Sequence, residues 1–193
     1  MQVPALEEHA KKYERIKFHC EDGILQIAMH CGGSDLRWGF VPHQELGYAF
    51  PDIASVPENK VIIFTGSGET FIPKEDLGSG AVDANVWASH VLPDARRLPV
   101  NLLEIQAPMI AAVNGPATVH AELALLCDIV LAADHSTFQD APHYPSGLVP
   151  GDGVHIVWPM LLRLNRGRYF LVTGQELSAN EALALGVVNE VMP

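Results

Sequence analysis

Ile110-Ala111-Ala112-Val113-Asn114-Gly115-Pro116, followed after a short gap by Glu122-Leu123-Ala124-Leu125-Leu126-Cys127-Asp128-Ile129-Val130-Leu131-Ala132-Ala133, is the stretch that decides the fold class. The apolar run 108–113 is strand-length and stops at Asn-Gly-Pro, a turn signal. Residues 121–127 then read as a helix and 129–132 as a second strand. Working outward, 61–64 is a continuous apolar run before Thr65-Gly66, as expected of a buried strand, and 24–30 is another strand after the Glu21-Asp22-Gly23 turn. Helices are predicted at 43–50, across a proline-interrupted region 83–106, and at 165–173 and 178–185. The last opens on a Ser-x-x-Glu capping box, Ser178 and Glu181. Strands alternating with helices make an α/β protein.

The chain has 193 residues, 48% hydrophobic and 18% charged, enough for a substantial core in one domain spanning 1–193. Its 23 acids against 12 Lys and Arg give a net charge of -11, which argues against nucleic acid or an anionic membrane surface as the main partner. A small-molecule ligand is the better expectation. Three cysteines, Cys20, Cys31 and Cys127, lack Cys-x-x-Cys spacing and form neither a disulfide framework nor a zinc knuckle. The polar N-terminus lacks the apolar core of a leader, and no run approaches the ~18 residues of a membrane span, so a cytoplasmic location is expected. Gly-x-Ser-x-Gly, Walker, Gly-x-Gly-x-x-Gly and His-Glu-x-x-His motifs are absent, which removes the usual supports for serine hydrolase, nucleotide-binding and zincin readings.

The chemistry concentrates in Asp140-Ala141-Pro142-His143-Tyr144-Pro145-Ser146-Gly147-Leu148-Val149-Pro150-Gly151-Asp152-Gly153. Imidazole titrates near neutrality, and a carboxylate on its other nitrogen fixes the tautomer and stabilises the protonated ring, so His143 and Asp152 can activate water. The alternative is structural: His143 bonds to nearby backbone and Asp152 caps a helix starting near Gly153.

The 110–116 and 122–133 segments, continued through Phe138, Val149-Pro150-Gly151, Thr173-Gly174, Ala182-Leu183 and 186–191, resemble the signature of the crotonase, or enoyl-CoA hydratase/isomerase, superfamily. The resemblance covers most of the chain. It implies a spiral of ββα units assembled as a homotrimer or dimer of trimers, with reactions that stabilise an enolate or oxyanion. Members usually continue into a C-terminal helical region, which is expected to be absent here. They also use two backbone N–H groups as an oxyanion hole. Here Pro73, in Phe71-Ile72-Pro73-Lys74-Glu75-Asp76-Leu77, falls on one donor position and has no N–H. The glycine turn that carries the other is replaced by Ala117-Thr118-Val119-His120. Losing one such donor costs about 2.7–4 kcal/mol of transition-state stabilisation, so another must replace it.

His120 at the altered turn, His143, Asp152 and Trp38 together resemble the superfamily's carbon–carbon bond hydrolases that cleave cyclic β-diketones. So do the segments 137–140, 157–159 and 165–171. The resemblance implies His143 and Asp152 as a water-activating dyad and His120 with Trp38 as ligands of the substrate carbonyl, with no cofactor and no metal. Glu122 is a further candidate substrate-binding residue, since some relatives carry a catalytic acid there, although an acid at a helix start also suits the dipole. Trp87 and Trp158 are read as packing residues and His43 as a helix-start residue. No local spacing of the nine histidines marks a metal site. A CoA-thioester hydratase, isomerase or hydrolase and a non-catalytic oligomeric binding protein remain as other classes.

Overall fold

The computed structural model describes residues 6–77 and 83–193, with side chains from residue 8 onward. After α1 (Leu6–Ala10), the chain forms the hairpin β1 (Ile16–Glu21) and β2 (Ile24–Met29), helix α2 (Phe40–Ala54) and β3 (Val61–Gly66). Next come α3 (Ala84–Val86), a π-helical turn (Trp87–Val91), α4 (Leu92–Leu103), β4 (Met109–Val113), α5 (Glu122–Leu125), β5 (Ile129–Ala133) and β6 (Thr137–Phe138). A 3-10 turn (Tyr144–Ser146), α6 (Val154–Leu162), α7 (Leu164–Thr173), β7 (Leu177–Ser178), α8 (Ala179–Ala184) and β8 (Glu190–Met192) complete it.

The main sheet runs β1-β2-β3-β4-β5-β8, parallel from β2 onward. Register places Ile27, Phe64, Ala111 and Val130 side by side on its buried face. A second, sparse layer consists of the parallel bridges Trp38 with Glu75, Ile72 with Ala117 and Ala117 with Phe138, closed by β6 pairing with β7. Each of β2 to β5 is thus followed by an extended residue of the second layer and then a helix: β2, Trp38, α2; β3, Ile72, α4; β4, Ala117, α5; β5, β6, α6. This is the expected ββα spiral, and every passage from first layer to second delivers a loop to the same side.

Packing fixes the layers. Phe50, Phe64 and Phe71 are fully buried and meet edge-on, with centroids 6.0 and 5.3 Å apart, contacts worth about 0.5–1.5 kcal/mol each beyond burial. Gly115 has φ +154°, and a Cβ there would stand 1.9 Å from the Glu69 carbonyl oxygen, so only glycine lets the 113–117 turn close. Trp158 is buried against Phe170 as the packing reading expects.

The predicted helix at 178–185 is present as α8 with its capping box complete: Ser178 accepts from the Glu181 N–H and Glu181 from the Ser178 N–H. The region 83–106 breaks into α3, the π turn and α4, while the helix at 121–127 shrinks to α5. The N-terminal polar stretch holds α1 and β1, which short polar runs do not announce. His9 in α1 meets Asp52 at 2.9 Å, beside Tyr13 Oη and Lys12 Nζ, and ties the N-terminus to α2. The three cysteines are free thiols, and burial pushes Cys127 up to about 12. Among the described residues, no helix is long and apolar enough to cross a membrane.

Candidate active site

A cavity of about 130 Å³ opens where the loops following β2, β3, β4 and β6 converge. Its polar lining comprises Trp38, His43, Glu75, His120, His143 and Asp152, while Phe40, Leu77, Trp87, Val91, Leu92, Leu148 and Val149 supply apolar wall. Four of the five candidates read from the sequence therefore share one chamber. Glu122 does not line it.

His143 ends an irregular loop in which Asp140 is its near neighbour. Its Nδ1 lies 2.6 Å from Asp140 Oδ1 and its Nε2 3.2 Å from Asp152 Oδ2. His143 thus has a carboxylate on each nitrogen: Asp152, the partner the sequence reading names, and Asp140, 2% exposed and outside the cavity. Asp152 stands on the cavity side. Burial opposes charge on His143, yet hydrogen bonds to Asp140 and Asp152 outweigh it and raise the ring to about 10. Burial likewise opposes charge on Asp152, but the His143 hydrogen bond, the His120 and His143 charges and the Val154 N–H hold it well below the usual carboxylate range. Oδ1 of Asp152 accepts from the Val154 N–H at 3.3 Å, so the residue also anchors the start of α6. One oxygen of Asp152 thus accepts from the Val154 N–H and the other faces His143.

His120 adopts φ 47° immediately ahead of α5, which turns its ring out of the second layer. Nδ1 meets Glu122 Oε1 at 2.6 Å, and Asp152 Oδ2 is 3.7 Å away, so one oxygen of Asp152 serves both histidines. Burial penalises charge on this pair and pushes Glu122 up. For His120, the charge and hydrogen bond of Glu122 outweigh burial and raise the ring. Glu122, expected as a substrate ligand, instead pairs with Nδ1 of His120 and is not among the lining residues, which leaves Nε2 as the ring's remaining nitrogen. The site therefore contains two carboxylate–histidine pairs bridged by Asp152.

The Trp38 indole is 1% exposed and stacks on His120 at 4.3 Å. His43, in the first turn of α2, meets Trp38 edge-on at 5.5 Å and His120 at 5.6 Å. Burial, then the His120 charge, lower His43 to about 3, so its ring is neutral across the physiological range. The helix-start reading of His43 is right about the element and wrong about the environment. The packing reading of Trp87 is also corrected, since the π turn places it on the cavity wall at 37% exposure.

The backbone at the two segments where the resemblance expects oxyanion donors is partly committed elsewhere. Pro73 has no N–H, and the N–H groups of Thr118 and Val119 both go to the Ile72 carbonyl, at 3.0 and 3.2 Å. His120 and Trp38 bring side-chain donors to the chamber. Among the described residues, His120, Glu122 and Asp152 also offer ligand atoms within 4.8 Å of one another, a His-and-two-carboxylate set of the kind zinc accepts. Linear spacing conceals it because Asp152 comes from a different turn of the spiral.

Residues 42–193 match the family model described as enoyl-CoA hydratase/isomerase. The carnitinyl-CoA dehydratases of Citrobacter koseri and Salmonella arizonae are each 35% identical, over 93% and 88% of this chain, which spans 68% and 64% of their lengths. Among solved structures, a β-diketone hydrolase from the cyanobacterium Anabaena sp. PCC 7120, bound to (S)-3-oxocyclohexyl acetic acid, is 44% identical. It superposes with a TM-score of 0.92 over 96% of this chain and 75% of its own. An enoyl-CoA hydratase/isomerase from Mycobacterium paratuberculosis is 28% identical, with a TM-score of 0.85 over 92% of this chain and 72% of its own.

Proposed function

The chain belongs to the enoyl-CoA hydratase/isomerase, or crotonase, family, and within it we propose a hydrolase that cleaves a carbon–carbon bond of cyclic β-diketones. The observation that carries this reading is the exchange of backbone donors for side chains: Pro73 and the tied N–H groups of Thr118 and Val119 leave His120 and Trp38 facing the cavity. Likeness to the Anabaena hydrolase supports it.

In this mechanism, water enters beside Asp152 and gives a proton to Nε2 of neutral His143, whose Nδ1 is held by Asp140. The hydroxide adds to one carbonyl, and His120, with the Glu122 carboxylate behind its Nδ1, holds the developing oxyanion together with the Trp38 indole N–H, which can only donate. Collapse breaks the bond to the carbon between the carbonyls. The second carbonyl accepts the electron pair as an enolate, protonation gives a keto acid, and no organic cofactor is needed.

His143→Ala and Asp152→Asn should lower kcat strongly, His120→Ala should lower it about 10²–10³-fold, and Trp38→Phe should raise KM at least as much as it lowers kcat. The assay is loss of the enolate ultraviolet absorbance of a cyclic diketone. A His143→Ala variant with near-normal turnover would sink the assignment. The second reading, hydration or dehydration of a CoA thioester, is favoured by the carnitinyl-CoA dehydratase relatives. It predicts turnover of crotonyl-CoA or carnitinyl-CoA and none of the diketones.

A further inference from the structure

Carbon–carbon cleavage needs a second proton transfer that the residues assigned so far do not perform. When the bond breaks, its electron pair passes to the carbon between the carbonyls, and that carbon must take a proton before product leaves. His143 is engaged with the attacking water. Asp140 and Glu122 stand behind the histidines, and Asp152 is committed to His143, His120 and the Val154 N–H. One lining acid is left, Glu75.

Its placement follows from the second layer. Glu75 forms the parallel bridge to Trp38, the backbone N–H of Trp38 donates to the Lys74 carbonyl at 3.0 Å, and the Asp76 N–H donates to the Trp38 carbonyl at 2.6 Å. Both neighbours of Glu75 are therefore pinned to Trp38. The carbon that becomes the enolate is bonded to the very carbonyl that Trp38 holds, so an acid fixed beside Trp38 is placed for it. Leu77 continues the same segment along the cavity wall. Among the described residues, Glu75 itself makes no ion pair or side-chain hydrogen bond.

We propose that Glu75 is the acid that protonates the enolate carbon, a role that rests on the diketone-hydrolase reading above. Burial raises its carboxyl above the usual range. The charges of His120 and His143 oppose that shift, and Asp140 and Asp152 add to it. The balance is complete: water loses one proton to His143 and its hydroxide to the carbonyl carbon. Glu75 gives its proton to the carbanion, and His143 and the Glu75 carboxylate restore their states through solvent.

The test uses 2-ethyl-2-methylcyclohexane-1,3-dione, whose quaternary carbon cannot enolise before cleavage and becomes a stereocentre when the enolate is protonated. With wild type, the keto acid should form with one configuration in excess at that carbon. Glu75→Gln should lower kcat about 10²-fold with KM little changed and give racemic product, because solvent then supplies the proton from either face. Glu75→Asp should restore part of both rate and selectivity. Unchanged rate and enantiomeric excess in Glu75→Gln, with wild type active, would overturn the role of Glu75 and leave the hydrolase reading standing. Absence of turnover by wild type on this and on a bicyclic diketone would overturn both.

Discussion

His143 is caught between two carboxylates, and that determines how the site should respond to pH. A ring raised to about 10 is protonated at neutrality in the free protein, whereas water activation requires its neutral form. Because the mechanism also needs Glu75 protonated, the kcat/KM of wild type should form a plateau that falls off at either end, and Asp140→Asn, which removes one stabilising carboxylate, should move its alkaline limit to lower pH while lowering kcat. A pH–rate profile of both proteins checks this. The same ring links to stability with the opposite sign. A folded-state pKa raised from about 6.5 contributes stability that is complete below that value and is lost as pH rises through about 10. Asp152, held low, contributes above the ordinary carboxylate range and loses its contribution as pH falls. The melting-temperature gap between wild type and Asp152→Asn should therefore be widest between these limits and narrow at either end. For the His120, Glu122 and Asp152 cluster we expect chelation with EDTA to leave turnover unchanged. Loss on chelation and recovery with zinc would transfer the electrophile's role from His120 to a metal. At this scale the sequence named His120, His143, Asp152 and Trp38 by resemblance but missed Asp140, Glu75 and His43. Asp140 lies only three residues before His143, but an acid on either side of the Pro/Gly turn offers the same chemistry, so spacing alone does not single it out. Glu75 and His43 carry no local signal, since both acquire their meaning from the second layer of the spiral.

Elements were legible in proportion to their periodicity. The central strands are apolar runs bounded by Gly, Asn or Pro, and α8 announces itself by Ser178 and Glu181, so both could be read directly. The helical region after residue 83 could not be read in detail. Asp83 caps a single short turn by accepting from the Asn85 N–H, the chain then widens into the π turn, and α4 restarts with Pro93 in its first turn. A widened turn often marks a functional wall, and here it turns Trp87 and Val91 to the cavity. Trp87→Ala should raise KM for a bicyclic diketone with little change in kcat, because the wall contributes binding and not chemistry. Close approach between α6 and α7 is equally testable. A Cβ at Gly167 would stand 2.4 Å from Pro159 Cα, so Gly167→Ala should destabilise by about 1–3 kcal/mol, seen as a lower urea midpoint with unchanged slope.

On the scale of the whole molecule, α6, α7 and the loop before them expose Val149, Ile156, Met160, Leu164, Tyr169 and Val172, each more than half accessible. That much apolar surface marks an interaction face, and the resemblance implies assembly into a homotrimer or dimer of trimers. Sedimentation should show species larger than the 21.0 kDa monomer, with Met160→Glu shifting them toward it. The net charge of -11 predicts that moderate salt favours assembly by screening repulsion. The central claim, that this crotonase-family cavity hydrolyses a carbon–carbon bond with His143 as the base, is tested most directly by adding wild type and His143→Ala to cyclohexane-1,3-dione and to a bicyclic β-diketone while following the enolate absorbance or product. The account predicts steady conversion to keto acid by wild type and none above background by His143→Ala. Equal conversion by the two proteins, or conversion of crotonyl-CoA with both diketones untouched, would contradict it.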